Sequence, residues 1–352
     1  MERIHRLALP LALTVAASAC DQGVTAPLPL PEVAAGVTTS PGLTVMSRNV
    51  YVGADIGVLL GGGDPTTLLT QALLQIQHTD FGTRARALAM EILQEQPHLV
   101  GLQEVTTLGL PDALAAQLNL PPQISYLDIL MAWIGGLGGN YVVASYHPNF
   151  QLQLPAFGGV ISYTDGEAIL ARGDVGMSDA GGGTYASYQT AQIAGFPVQR
   201  LRGWADVLAT GAGQTVRFVS SHLEVQSFGD VQEEQARELV GTFADETHPV
   251  ILVGDFNSAA DRLADAPETS GSYHVFRNGG YTDVWLREGT GVDGQTCCHT
   301  PLLDNTEPML YSRLDLVLAR YGPAGFGGRV AAPHVGDVGG DNLAAPGGYN
   351  LW

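Results

Sequence analysis

Val250-Ile251-Leu252-Val253-Gly254-Asp255-Phe256-Asn257 carries a run of aliphatic residues straight into a glycine, an acid and an amide. A short apolar run bounded by turn formers is a buried strand, and Gly, Asp and Asn are turn formers. The polar residues begin where the strand ends, and the same layout recurs along the chain. Leu43-Thr44-Val45-Met46-Ser47-Arg48 leads to Asn49, and Leu99-Val100-Gly101-Leu102-Gln103 leads to Glu104. Val216-Arg217-Phe218-Val219-Ser220-Ser221 leads to His222, while Asp315 lies inside Ser312-Arg313-Leu314-Asp315-Leu316-Val317-Leu318. A carboxylate, amide or imidazole at the rim of a buried strand is held rigidly and can converge with its neighbours on one site.

Outward from these segments, strands are expected at 43–49, 98–105, 166–171, 204–209, 215–221, 249–254 and 313–319. Ala87, Leu88, Met90, Ile92 and Leu93 fall near helical spacing within 83–95, and Pro97 closes that helix. A second helix with an apolar stripe (Val231, Ala236, Leu239, Val240, Phe243) covers 230–244. Many strands with few, well-separated helices suggest two sheets packed face to face with helices outside. The Gly-rich stretch 173–198 reads as an insertion that shapes the substrate face. No second linker follows residue 42, so 42–352 is expected to be one domain, and a monomer.

Composition narrows the chemistry. In 352 residues the net charge is −19, and all 16 basic residues are Arg. Without lysine there is no Schiff base, no P-loop lysine and no Ser-Lys dyad. Such acidity argues against tight non-specific binding to nucleic acid, which needs clustered positive charge. It leaves room for a site that engages phosphate locally through a cation. At the N-terminus, Arg3 and Arg6 precede an apolar stretch from Leu7 to Ala17 and then Ala-Ser-Ala-Cys ending at Cys20. This is a signal-peptide layout for residues 1–20, with small residues before Cys20 that look like a lipoprotein cleavage box. Residues 21–41 read as a flexible tether. The chain is therefore expected outside the cytoplasm, secreted or lipid-anchored at a bacterial cell envelope, and on a membrane only through that anchor. The remaining cysteines, Cys297 and Cys298, are neighbours, which rarely pair because the ring is strained. They and His299 are expected in a structural loop.

The inventory suits phosphate-ester hydrolysis. Hard oxygen ligands from Glu and Asp, with Asn alongside, suit Mg²⁺, Mn²⁺ or Ca²⁺ rather than zinc. A separate Asp close to an Asn could orient or deprotonate water, and a His could donate to a phosphate oxygen. Each residue also has a plainer reading: Glu104 as a surface carboxylate, Asp255 and Asn257 as a turn, Asp315 as an ion-pair partner of Arg313. Asp55 is a weaker candidate, and Arg48 and Tyr163 could reach a phosphate although nothing in the sequence puts them there.

Gly254-Asp255-Phe256-Asn257, with Leu102-Gln103-Glu104-Val105, Ser221-His222-Leu223 and Arg313-Leu314-Asp315-Leu316, resembles the endonuclease/exonuclease/phosphatase superfamily, the DNase I-like group that also includes bacterial secreted and lipoprotein members. Each tetrapeptide alone is weak, but together they stand in the family's order from 43 to about 320. The resemblance implies an α/β (α+β) four-layer αββα sandwich with two mainly antiparallel mixed sheets. It implies a divalent-metal phosphoesterase acting on nucleic acid, phospholipid or a small phosphate ester. Glu104 would be the metal ligand, and Asn49 would assist the metal or the phosphate. His222 would contact the scissile phosphate, and Asp255 would position or activate water with Asn257. Asp315 would pair with a late histidine. The family's Ser-Asp-His motif and closing strand are not found: no Asp-His step occurs, and His334 after Asp315 lies in Pro-His-Val-Gly. The expectation is a truncated version of a longer protein, incomplete at its C-terminus and missing the last strand. The alternative is a catalytically impaired surface protein that binds a phosphorylated ligand or a protein partner on the same scaffold.

Overall fold

A computed structural model describes residues 42–60, 64–193, 196–260, 271–287, 294–305 and 310–321. The expected signal peptide and tether, His334 and the expected site of the missing closing strand lie outside the described residues.

The first sheet is built from β1 (Val45–Asn49), β2 (Leu99–Gln103), β3 (Thr107–Gly109), β4 (Gln123–Ser125), β5 (Tyr141–Ala156) and β6 (Gly159–Arg172). Its order is β1-β2-β6-β3-β4, with β5 paired along β6 in a long hairpin. After β7 (Gly176–Thr184), a ribbon of β8 (Gln189–Ile193) and β9 (Phe196–Arg200) precedes β10 (Gly203–Gly211), β11 (Gln214–His222), β12 (Val250–Asp255), β13 (Thr282–Asp283) and β14 (Asp315–Arg320). These form a second sheet, β13-β14-β12-β11-β10-β7, with the ribbon apart from it. The helices are α1 (Pro65–Thr79), α2 (Phe81–Glu95), α3 (Asp112–Leu118), α4 (Tyr126–Gly136), α5 (Gly229–Thr242), α6 (Gly271–Asn278) and α7 (Val284–Arg287).

Side-chain alternation sorts these elements into four layers. Leu99 and Ile169 of the first sheet meet Val207, Phe218 and Val253 of the second in a dry layer between the sheets. The intervening residues Val100, Leu102 and Leu170 point the other way, onto Ala85, Leu88 and Ile92 of α2. On the far side Val219, Leu252 and Leu318 pack against Ala236 and Leu239 of α5 and Phe276 of α6. The αββα sandwich expected from the motifs is thus the fold observed. Each fully buried aliphatic side chain in these layers contributes about 1.5–3 kcal/mol. Local signals set the helix starts. Asp64 accepts from Thr67 N at 2.8 Å with Pro65 opening α1, and Asp80 accepts from Thr83 Oγ1 at 2.6 Å at the start of α2.

Two features fix the sheets to each other where the motif strands end. Gly101 has no Cβ because one would come within 2.4 Å of Val253 Cγ2. Next to it, Gln103 Nε2 donates to Ser220 Oγ at 2.9 Å, and Ser220 Oγ donates to Leu102 O at 3.1 Å, all fully buried. Because β1 runs parallel to β2, and β11 to β12, their C-terminal ends open on one edge of each sheet. The 173–198 stretch is partly built into the second sheet. It supplies β7, an exposed edge strand paired to β10, so backbone pairing there overrides the poor strand propensity of glycine.

Candidate functional site

Asn49 ends β1 and Glu104 directly follows β2, while His222 and Asp255 end β11 and β12 and stand opposite each other in the ladder. Asn49 Nδ2 donates to Glu104 Oε1 at 2.9 Å and to Asp255 Oδ2 at 3.1 Å, so one amide joins the two sheets. The second Glu104 oxygen accepts from Val52 N at 2.7 Å, and Asn49 Oδ1 accepts from Tyr51 N at 2.9 Å. Asp255 Oδ1 accepts from Asn257 N at 2.9 Å. Asn257 Nδ2 lies 3.0 Å from His222 Nε2 and donates to Leu223 O at 3.0 Å. Asp315 faces Asp255 across the antiparallel β12–β14 pairing, and its backbone N–H donates to Thr296 Oγ1 at 3.0 Å. All six residues singled out in the sequence therefore come to one edge of the sandwich.

The backbone there is bent to aim them. Glu104, Asn257 and Tyr51 have φ of 57°, 48° and 56°. Asn tolerates this left-handed region, whereas for Glu and Tyr it costs on the order of 1–3 kcal/mol each. Gly254 allows the approach of β12 to β11, since a Cβ would lie 1.9 Å from Ser221 O.

Acids crowd this edge. Burial raises the Asp255 carboxyl and Glu104 raises it further, against hydrogen bonds from Asn257 and Asn49. Asp315 is also pushed up, first by burial and then by Asp255. His222 is held well below its ordinary value by burial and then by Arg202 and Arg200, which favours the neutral imidazole. The lone pairs facing this edge from Glu104 and Asp255 are on oxygens of the hard kind, and Asn49 presents its N–H to both. Among the described residues no group of three or more His, Cys, Asp or Glu is clustered as a metal site. Mg²⁺ asks for less than that, because it keeps several waters and is held by one or two carboxylates. The excess of acid and the oxygen-only donor set fit such an ion.

The weaker candidates resolve differently. Arg48 makes a two-pronged pair with Glu91, with Nε to Oε2 at 2.8 Å. Asp55 Oδ1 accepts from Gly57 N at 2.8 Å in a local turn. Tyr163, on β6, has its hydroxyl raised by burial and then by Asp165 and Glu104, which sets it beside the acidic edge. Arg313 pairs with Asp283 at 2.7 Å rather than with Asp315, which removes the plain reading of Asp315 as its ion-pair partner. Cys297 and Cys298 lie side by side in a loop outside the strands. The backbone of the pair is pinned by reciprocal hydrogen bonds between Cys297 and Ser312, at 2.9 and 3.1 Å. His299 Nδ1 is engaged by Asn305 Nδ2 at 2.7 Å.

Sequence reasoning missed a second layer of charge behind the edge. Asp165 lies within β6, where burial, then Glu104, pushes it up to about 7 although Arg202 opposes the shift. Glu167, two residues on, is raised well above its usual range by burial and then by Asp165. Arg202 stands 3.8 Å from Asp165 Oδ2 and 3.9 Å from Glu224 Oε1, and Arg200 reaches Glu224 Oε1 at 3.1 Å. The available signal was two acids at alternate positions, Asp165 and Glu167, and the Arg200-Leu201-Arg202 step before β10.

The model of the endonuclease/exonuclease/phosphatase family matches residues 60–336. No protein of curated function matches the chain. Similar solved structures include a humanized D. rerio TDP2, 17% identical with a TM-score of 0.45, covering 82% of this chain and 86% of that one. An endonuclease/exonuclease/phosphatase family protein from Leptotrichia buccalis is 16% identical with a TM-score of 0.47, over 80% and 88% of the two chains. A mannosyl-6-phosphatase from Bacteroides thetaiotaomicron is 17% identical with a TM-score of 0.45, over 80% and 86%.

Proposed function

The chain belongs to the endonuclease/exonuclease/phosphatase family, and from that premise we propose that it is a divalent-metal-dependent phosphoesterase in which water attacks a phosphate ester. The observation that carries this reading is the amide of Asn49, which ties Glu104 and Asp255, from different sheets, to one point. Glu104, oriented by the Asn49 amide, would hold Mg²⁺ or a similar hard ion. When bound, such an ion polarises a phosphate oxygen and offsets charge developing on it.

The remaining roles fall to the chain's own side chains. Asp255 takes the attacking water, its Oδ1 held by the Asn257 backbone and its Oδ2 by the Asn49 amide. Its raised affinity for a proton makes it a better base than an exposed carboxylate. His222 and Asn257 contact the phosphate from the β11 side. Asp315, opposite Asp255, holds a proton more readily than an ordinary carboxyl and keeps the second acid of that pair neutral. The N-terminal pattern supports an extracytoplasmic setting, with Cys20 as the lipidation point.

Substrate class is read from an assay. Purified full-length protein is tested with plasmid DNA, sphingomyelin, inositol phosphates and an aryl phosphodiester, in Mg²⁺ and in EDTA. The expected result is hydrolysis of at least one of them in Mg²⁺, abolished by EDTA. Folded protein that cleaves no activated phosphodiester in Mg²⁺ or Mn²⁺ would sink the reading.

A further inference from the structure

His222 is gripped from both sides by groups that give hydrogens. On the Nδ1 side stands Arg202, immediately before Gly203, which pairs with His222 in the β10–β11 ladder. Arg202 Nη1 is 3.1 Å from His222 Nδ1. A guanidinium has only donors, so Nδ1 must be the bare, accepting nitrogen, and a neutral ring then carries its proton on Nε2. Among the described residues nothing nearer competes for that guanidinium hydrogen. The carboxylates of Asp165 and Glu224 stand at 3.8 and 3.9 Å, beyond hydrogen-bond reach, and Arg200 already occupies Glu224 Oε1 at 3.1 Å.

On the other side Nε2 faces Asn257 Nδ2 at 3.0 Å. The side-chain amide cannot turn its oxygen there without cost, because the same Nδ2 serves Leu223 O at 3.0 Å and an oxygen in its place would oppose that carbonyl. Asp255 Oδ2, the nearby acceptor, is 3.8 Å from Nε2. Two N–H groups therefore converge without an acceptor between them. A third atom that accepts from both resolves the conflict, and an oxygen of a tetrahedral phosphate has the lone pairs and charge to do so.

We propose that Arg202 is a positioning residue that locks His222 with its proton on Nε2, so that this N–H and the Asn257 amide N–H donate to one phosphate oxygen. The proposal rests on the phosphoester reading for the identity of the anion, while the lock itself does not. His222 then serves as a fixed donor and takes no proton from water.

The test is spectroscopic and needs no turnover. In the ¹⁵N-labelled full chain, long-range ¹H–¹⁵N spectra identify His222 by the signals lost in His222→Gln. The expected pattern is protonated Nε2 and bare Nδ1, constant from about pH 6 to about pH 8. Arg202→Lys, still a pure donor, keeps the pattern, and Arg202→Gln admits the Nδ1–H form. Inorganic phosphate moves the His222 Nε2–H and Asn257 Nδ2 signals together. An imidazolium or Nδ1–H ring in the wild-type protein overturns the lock, as does an unchanged pattern in Arg202→Gln. Phosphate that leaves both signals in place overturns the paired donors. Should Arg202→Gln fail to fold, the wild-type and Arg202→Lys spectra decide. A protein that shows the lock but hydrolyses nothing separates this inference from the proposed function.

Discussion

Strands β11 and β12 join two charged clusters of opposite character. At the N-terminal end of β11, Arg217 meets Asp206 Oδ1 at 2.9 Å, Glu246 Oε2 at 3.1 Å and the Asp179 carboxylate. Glu246 also accepts from His248 N and Nδ1 at 2.9 and 2.8 Å. Burial works against Glu246, yet the His248 and Arg217 contacts hold it down at about 2. Asp206 is the exception there, raised by burial with Arg217 opposing. At the C-terminal end the acids gather instead: Asp255 and Asp315 face each other, with Glu104 and Asp165 acting on them or beside them. The cations at that end are committed, Arg48 to Glu91 and Arg202 to His222. One cluster spends its charge on fastening strands. The other leaves acid uncompensated, and it coincides with the residues proposed to act on substrate.

The largest test of that division is to neutralise one acid at each end. Asp255→Asn is expected to lower turnover of an aryl phosphodiester in Mg²⁺ by about 10²–10⁴-fold. The same variant is expected to lose little stability, because relief of the repulsion between Asp255 and Glu104 offsets the loss of one of the two hydrogen bonds that Asp255 accepts. Paired rate and thermal-melt measurements check this, and a variant that loses stability along with activity would break the comparison. Arg217→Met should do the reverse. Removing the hub leaves Asp206 and Glu246 without their partner and costs about 2–3 kcal/mol in urea unfolding, below the value for a fully buried pair. The rate per folded molecule is expected to stay unchanged.

How much of this was legible follows the same line. Strand-end residues announce themselves, because an apolar run stops abruptly at Asn49, Glu104, His222 and Asp255. The layers were legible too, since Val250 and Leu252 alternate with Ile251 and Val253 between helix-facing and sheet-facing sides. Asp165 and Arg202 were not. β6 begins at Gly159, well before the expected 166, so Asp165 fell outside the strand that buries it. Its partner Arg202 comes from a distant connection whose approach depends on the β10–β11 register rather than on any local pattern. The helix α1 carried its own signal, Asp64 followed by Pro65, but its apolar stripe gains meaning only against the first sheet.

Between the two ends, Gly101 measures how firmly the sheets are fixed relative to each other. In Gly101→Ala the new methyl meets Val253 Cγ2 and Ser220, so about 1–3 kcal/mol of stability should be lost. Activity per folded molecule is expected to fall as well, since Gln103, Ser220 and the site share that stretch of β2 and β11. Unchanged activity at reduced stability would mean that the edge tolerates a shift between sheets.

The smallest expected effect is the dependence of stability on pH, where the two ends pull in opposite directions. Asp165 has a folded pKa raised to about 7, against about 4 when unfolded, so the folded state binds its proton more tightly. Its contribution is fully present below about pH 4 and is lost as pH rises through about 7. Glu246 has a folded pKa depressed to about 2. Its contribution is present above about pH 4 and is lost as pH falls through about 2. Stability measured in EDTA should therefore rise from neutral pH toward about pH 5, then fall in acid. Asp165→Asn is expected to reduce the neutral limb, to which Asp315, Asp255 and Glu167 also contribute, and to leave the acid limb, whereas Glu246→Gln softens the acid limb alone. If Asp165→Asn leaves the neutral slope intact, the burden of unbalanced acid does not fall on Asp165, and the contrast between the two ends loses that residue.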